Sequence, residues 1–288
     1  MNAIRPQAAI FQPIPDHARH LYFDLVPGVD PRPALAAVAA ECDGDTLVLG
    51  LGQPLSAALG SAPPGLRAFP EWPQSAVPIP ATQHALWLWL RGDGPGDLLR
   101  LGHALERRLA GAFRLADAVD CFRHRDSRDL TGYEDGTENP EGEAARAAAC
   151  DAGGGSYAAI QLWRHDFPAF DAMSREAQNH TIGRDLESNA ELDDAPESAH
   201  VKRTAQEDFA PEAFVVRRSM PWSAGREAGL VFLAFGKSFD AYEALLHRMT
   251  GRDDGVVDAL FSISRPRTGG YYWCPPLGPG GALWLERA

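Results

Sequence analysis

Two long stretches of the chain run through the same succession of elements, and a chain built this way must bury two sheets of similar design. In the first stretch, His20 to Val26 alternates with Leu21, Phe23 and Leu25 on one side, which predicts a half-buried strand. An Ala-rich helix is predicted over Pro33 to Glu41 and a strand over Thr46 to Leu51, followed by Ala85 to Leu90, apolar on both faces as a central strand would be. Asp97 is expected to N-cap the next helix, in which Leu98, Leu101, Leu105 and Leu109 recur at helical spacing and after which Gly111 stands. A last strand is expected around Ala118 to His124.

The second stretch repeats the order. Tyr157 to Trp163 reads as a strand, Pro168 to Gln178 as a helix, and Ala213 to Arg217 and Leu230 to Phe235 as strands. Ser238 to Thr250 reads as a helix with Phe239, Tyr242, Leu246 and Met249 on one face, and Tyr271 to Cys274 as the closing strand. Strand, helix, strand, strand, helix, strand is the ferredoxin-like arrangement. The expected fold is therefore α+β, with ferredoxin-like halves at residues 1–130 and 157–288 joined by a segment at 131–156. The halves differ by a polar insertion at about residues 179–210, and long irregular connections of this kind are usually functional or disordered. A site is expected there and in the irregular stretch from Asp126 to Ser156.

A net charge of −12 repels phosphate backbones and anionic lipid, so neither nucleic acid nor membrane is an expected partner. Four cysteines without a C-x-x-C spacing point to a reducing compartment. No apolar run suits a signal peptide or a membrane span, and Trp284 to Ala288 closes the sequence without a docking tail, so a cytoplasmic location is expected.

Three features could carry chemistry. Gly132-Tyr133-Glu134-Asp135-Gly136-Thr137-Glu138-Asn139-Pro140 reads either as turn chemistry or as a carboxylate between glycines that let the backbone pass close to a bulky planar ligand. His200 lies in a polar loop, where a histidine is either solvated or a ligand. On an alternating strand only one of Arg217 and Arg218 can point inward, and an inward arginine requires an anion or a developing negative charge.

The stretch from Gly132 to Pro140 resembles the G-x-x-D-G signature of the dye-decolourising (DyP-type) haem peroxidases, within their compact bacterial cytoplasmic group. Three further segments are similar in the same chain order: Ile182-Gly183-Arg184 through Glu191 to Val201, Val216 to Pro221, and Thr268 to Tyr272. The resemblance implies duplicated ferredoxin-like halves forming a barrel-like peroxidase with haem b. It implies His200 as the axial iron ligand, Asp135 as the distal acid–base residue and Arg217 as its partner. It further implies reduction of hydrogen peroxide and oxidation of dyes, phenols or other small electron donors through a ferryl (Compound I) intermediate, in a homo-oligomer. Asp258 is the candidate carboxylate behind His200, and Arg184 the candidate partner of a haem propionate. Ser219 is placed at the haem's distal side, where the family often has Asp-Asn between the distal arginine and the methionine and this chain has Arg218-Ser219. The acidic cluster Glu187, Glu191, Asp193, Asp194 and Glu197 reads as a solvated face or as an attraction for a cation such as manganese. The alternative functions are a haem-handling protein with incidental peroxidase activity and a haem-free ferredoxin-like binding module.

Overall fold

The computed structural model describes residues 4–73 and 75–285. Part of the closing stretch from Trp284 to Ala288, namely 286–288, lies outside the described residues, as do 1–3 and Gln74. The first half supplies β1 (His17–Leu25), α1 (Arg32–Ala39), β2 (Leu47–Gly52), α2 (Gln53–Leu59), β3 (Leu86–Gly92), α3 (Pro95–Leu109) and β4 (Phe113–Phe122). The second supplies α4 (Gly142–Ala149), β5 (Ser156–His165), α5 (Phe167–Asp171), α6 (Arg175–Ile182), α7 (His200–Arg203), β6 (Val216–Arg217), β7 (Met220–Ala224), β8 (Glu227–Gly236), α8 (Asp240–Met249), β9 (Ser264–Pro266) and β10 (Gly270–Cys274).

The strands of the first half lie in the order β4-β1-β3-β2 and those of the second in the order β10-β5-β8-β7, all antiparallel. The fourth strand lies outside the first and the second outside the third, the same ferredoxin-like order twice. Pairing of β4 with β7 and of β2 with β10 then closes the eight strands into a barrel. Closure satisfies the edges that two separate sheets would expose.

Alternation along β3 shows how the chain fills both sides of this wall. Leu86, Leu88 and Leu90 pack on Leu35, Val38, Leu98 and Leu105 of α1 and α3. Trp87 and Trp89 turn the other way, into a cluster that draws Val48, Ile160, Leu233, Phe235 and Tyr272 from both halves. All three leucines and both tryptophans are fully buried, and each such side chain stabilises the fold by roughly 1.5–3 kcal/mol. Crowding inside the barrel dictates Gly50, where a Cβ would stand 2.8 Å from Trp87 Cε3 and 2.9 Å from Tyr272 Cβ. His20 stacks on the same tryptophans, accepts a hydrogen bond from Trp87 Nε1 at 3.1 Å, and is pushed down to about 3 by burial. A histidine sealed and neutral in this way is core, not a ligand.

Several expectations need correction. The first half's last strand begins at Phe113 instead of Ala118, because Arg114, Asp117 and Asp120 punctuate a strand that faces solvent on one side. Asp97 lies in the first turn of α3 and is not its N-cap, which is Gly94, since Pro95 can open the helix without a donor. The single helix expected from Pro168 to Gln178 is two, each with its own cap: Asp166 accepts from Ala169 N at 3.1 Å and Ser174 from Ala177 N at 3.2 Å. The supposedly irregular joint holds α4, and α2, β7 and β9 are further elements that short or Pro-containing segments concealed. Among the described residues no helix is long and apolar enough to cross a membrane.

Candidate active site

On the outer face of the second half, β5, β8 and α8 form the apolar wall of a cavity that is open at its mouth, with about 990 Å³ of empty space when that mouth is included. Leu230, Phe232, Leu245, Leu246 and Met249 line that wall, and the insertion and the joint between halves supply the rest. Asp135, His200 and Arg217, from three separate segments, all line it.

His200 opens α7, a single turn that has little stability of its own. Tertiary contacts hold it: Arg203 is buried and pairs with both carboxylate oxygens of Asp254 at 2.8 Å, while its guanidinium also donates to the Arg248 carbonyl at 2.7 Å. The His200 ring is oriented from behind by Asp258, whose Oδ2 lies 2.8 Å from Nδ1. Asp258 has no exposed side-chain surface, and its other oxygen accepts from Leu260 N at 2.8 Å, so it is a buried and committed carboxylate rather than one of an exposed acidic run. His165 also lines the cavity, but its two nitrogens are taken by Ser264 Oγ at 2.8 Å and Asp129 Oδ2 at 2.9 Å. His200 Nε2 is thus the one imidazole nitrogen in the lining without a hydrogen-bond partner among the described residues.

The Gly132–Pro140 stretch is fastened at several points. Gly136 takes a left-handed φ of 77°, which favours glycine, and turns the chain directly after Asp135. Asn139 then clamps the backbone of Arg217, accepting from its N–H at 2.7 Å and donating to its carbonyl at 3.1 Å. The motif therefore fixes Arg217 as well as Asp135. Glu134 bridges Arg128 at 2.7 Å and Asn189 Nδ2 at 2.9 Å, tying the motif to the insertion. Burial raises the Asp135 carboxyl above its ordinary 3.8, with Asp129 adding to the rise while Arg217 and His200 oppose it. Burial pushes Asp129 the same way, but hydrogen bonds from His165 and Thr131 outweigh it and leave that carboxyl below its ordinary value.

Arg217 makes no side-chain hydrogen bond among the described residues, and its Nε is buried without a partner. Gln161 Nε2 and Tyr242 Oη, on the same cavity wall, are likewise buried and unpartnered. Unpaired buried polar atoms are costly in a native structure, and these three belong to residues that line this one cavity. Sequence reading missed Gln161, Tyr242, His165 and Asp129. Strand alternation could have marked Gln161 and Trp163 as sharing a face, but nothing local joins them to residue 129.

The remaining candidates fall elsewhere. Arg184 is buried and committed to Glu138 at 2.8 Å, Glu191 at 2.5 Å and the Asn189 carbonyl at 3.0 Å, and it does not line the cavity. Ser219 lines an adjoining cavity that also contains Asp135, Arg217 and Arg218. Arg217 lines both cavities and Arg218 only the second, so one arginine of the pair reaches the apolar cavity. The acidic residues of the insertion do not gather: among the described residues no three His, Cys, Asp or Glu side chains are grouped to hold a metal ion.

Residues 126–278, just over half of the chain, match the family model described as Dyp-type peroxidase, C-terminal. A dye-decolorizing peroxidase from Mycolicibacterium paratuberculosis is 31% identical over 228 residues, which is 75% of this chain but only 64% of that relative's length. A dyp-type peroxidase protein from Shewanella oneidensis superposes with a TM-score of 0.87 at 27% identity, over 96% of this chain and 97% of the other. A DypB variant from Rhodococcus jostii RHA1 in complex with heme superposes with a TM-score of 0.85 at 27% identity, over 93% and 95%. Matched in its site-bearing half by the family model and over nearly its whole length by solved members, the chain belongs to the Dyp-type peroxidase family.

Proposed function

We propose that the chain is a haem-dependent peroxidase that reduces hydrogen peroxide and oxidises dyes, phenols or other small one-electron donors, with haem b as its cofactor. One observation carries the reading. An imidazole with one unused nitrogen, a carboxyl raised by burial and a guanidinium without a hydrogen bond converge on a single apolar cavity. The residues fit the group: apolar walls for a flat macrocycle, His200 Nε2 for the iron, and unpaired donors on Gln161 and Tyr242 for a polar edge. When bound, haem supplies the redox-active iron that exchanges electrons with peroxide and donor.

The chain's own residues do the rest. Asp258 accepts from His200 Nδ1–H, which sets the tautomer and strengthens Nε2 as a donor to iron. Asp135, when ionised, takes a proton from hydrogen peroxide and returns it to the departing oxygen, which leaves as water. Arg217 cannot give up its proton, so it contributes fixed positive charge where negative charge develops. Asn139 holds it in place through its backbone. Arg184 fastens the insertion to Glu138 of the motif.

Haemin added to the purified protein should raise a Soret band that saturates at one haem per chain, and peroxide should then bleach a dye. No Soret band would overturn the reading. A Soret band without peroxide-dependent turnover would leave haem handling as the function. A second test concerns Asp258. Asp258→Ala is expected to weaken haem retention about 10–100-fold, measured by transfer to apomyoglobin. Asp258→Asn, which keeps an acceptor for Nδ1–H but not its charge, should lose less.

A further inference from the structure

Beside the apolar cavity lies a second one, with about 600 Å³ of empty space including its mouth, whose lining includes Arg123, Ser127, Asp135, Arg217, Arg218 and Ser219. Three arginines and one aspartate are among the residues that line it. Arg123 is paired with Asp16, outside that lining. Arg217 and Arg218 make no ion pair within hydrogen-bond reach among the described residues, and the Nε of each is buried without a partner.

The guanidinium of Arg218 is positioned by its own backbone. Its Nη1 donates to the Arg217 carbonyl at 2.8 Å, and its N–H donates to the Leu233 carbonyl at 2.8 Å. With Nη1 spent, the Nε–Nη2 edge remains, and this is the pair of parallel donors that can donate to the two oxygens of one carboxylate or similar oxyanion. Ser219 Oγ accepts only a long bond of 3.4 Å from Leu233 N, which leaves its hydroxyl hydrogen free to donate. Burial, and then repulsion from Arg91, lowers Arg218 to about 10, so it keeps its charge at neutral pH while lacking a counter-ion. A half-buried cation left unpaired in this way is stabilised by an anion that fits.

We propose that this second cavity is an oxyanion site, in which the Nε–Nη2 edge of Arg218 grips the carboxylate of a small molecule and Arg217 and Ser219 complete the cradle. Because Asp135 and Arg217 line both cavities, an anion held there stands at the edge of the active site. It follows, on the peroxidase reading, that donors carrying a carboxylate are preferred over their neutral counterparts.

Calorimetric titration of the haem-loaded protein with benzoate tests the site independently of turnover. Saturable binding is expected, with chloride at equal ionic strength producing none and the Soret band unmoved. Arg218→Gln should weaken it about ten-fold or more, the loss of a charge-assisted pair of hydrogen bonds, and Arg218→Lys, which keeps charge but not the fork, should fall between. If Arg218→Gln does not fold, the parent-to-lysine difference decides the matter. Equal affinity in parent and variants would overturn the proposal. So would a Soret shift that places benzoate on the iron, or binding seen only without haem, which would assign the cradle to a propionate. In turnover, Arg218→Gln should raise KM for a carboxylated phenol and leave that of the uncharged phenol unchanged. Benzoate binding without any turnover would sink the peroxidase reading but keep the oxyanion site.

Discussion

Exchange of His200 for alanine is expected to abolish the Soret band of the haemin-supplemented protein, a larger loss than the roughly 10–100-fold expected on removing the carboxylate behind it. The expectation rests on the absence of a substitute. His165 is the other histidine in the lining, and Asp129 and Ser264 occupy both of its nitrogens. His20 is sealed in the barrel and held neutral by burial. The variant should nevertheless fold, because α7 is anchored by Arg203 on Asp254 and Arg248 and not by the His200 side chain. Free imidazole is therefore expected to enter the vacated space, meet Asp258 and restore part of the band. A His200→Ala protein with an undiminished Soret band would show that the ligand is elsewhere.

How much of this was legible beforehand depended on the distance over which each contact acts. The two halves could be read because strand alternation and helical spacing are local: Trp87 and Trp89 against Leu86, Leu88 and Leu90 announce a two-sided wall within five residues. Closure into a barrel could not, since the pairings of β4 with β7 and β2 with β10 join residues more than a hundred positions apart. At the site, resemblance brought His200, Asp135 and Arg217 together, but local physics left the first as a loop histidine and the second as a turn aspartate. Asp258 was as readable as an exposed acid beside Asp253 and Asp254, and only its burial under α7 separates them. For Arg217 and Arg218 the local rule of alternation was enough to separate the pair, since Arg217 lines the apolar cavity and Arg218 does not.

Arg217→Ala is expected to slow the reaction with peroxide about 10²–10³-fold, the usual cost of removing a preorganised donor from developing charge, while leaving the Soret band in place. Stopped-flow absorbance after peroxide addition measures both. The effect should have a second component that depends on pH. Burial raises the Asp135 carboxyl, and Arg217 is the strongest influence opposing that rise. Asp135 works as a base only when ionised, so the parent rate should climb as pH rises through the raised value, and Arg217→Ala should shift that limb to higher pH. Arg217→Lys keeps a charge and should shift it less. Stability should move oppositely to activity. A carboxyl whose folded pKa lies above its unfolded one binds more protons when folded, so its contribution to stability is lost as pH rises through the folded value. Asp135→Asn removes that loss, and should melt at or above the parent at neutral pH while reacting slowly with peroxide and showing no acid limb. An Asp135→Asn protein that kept the parent's rate and pH profile would show that another group handles the proton.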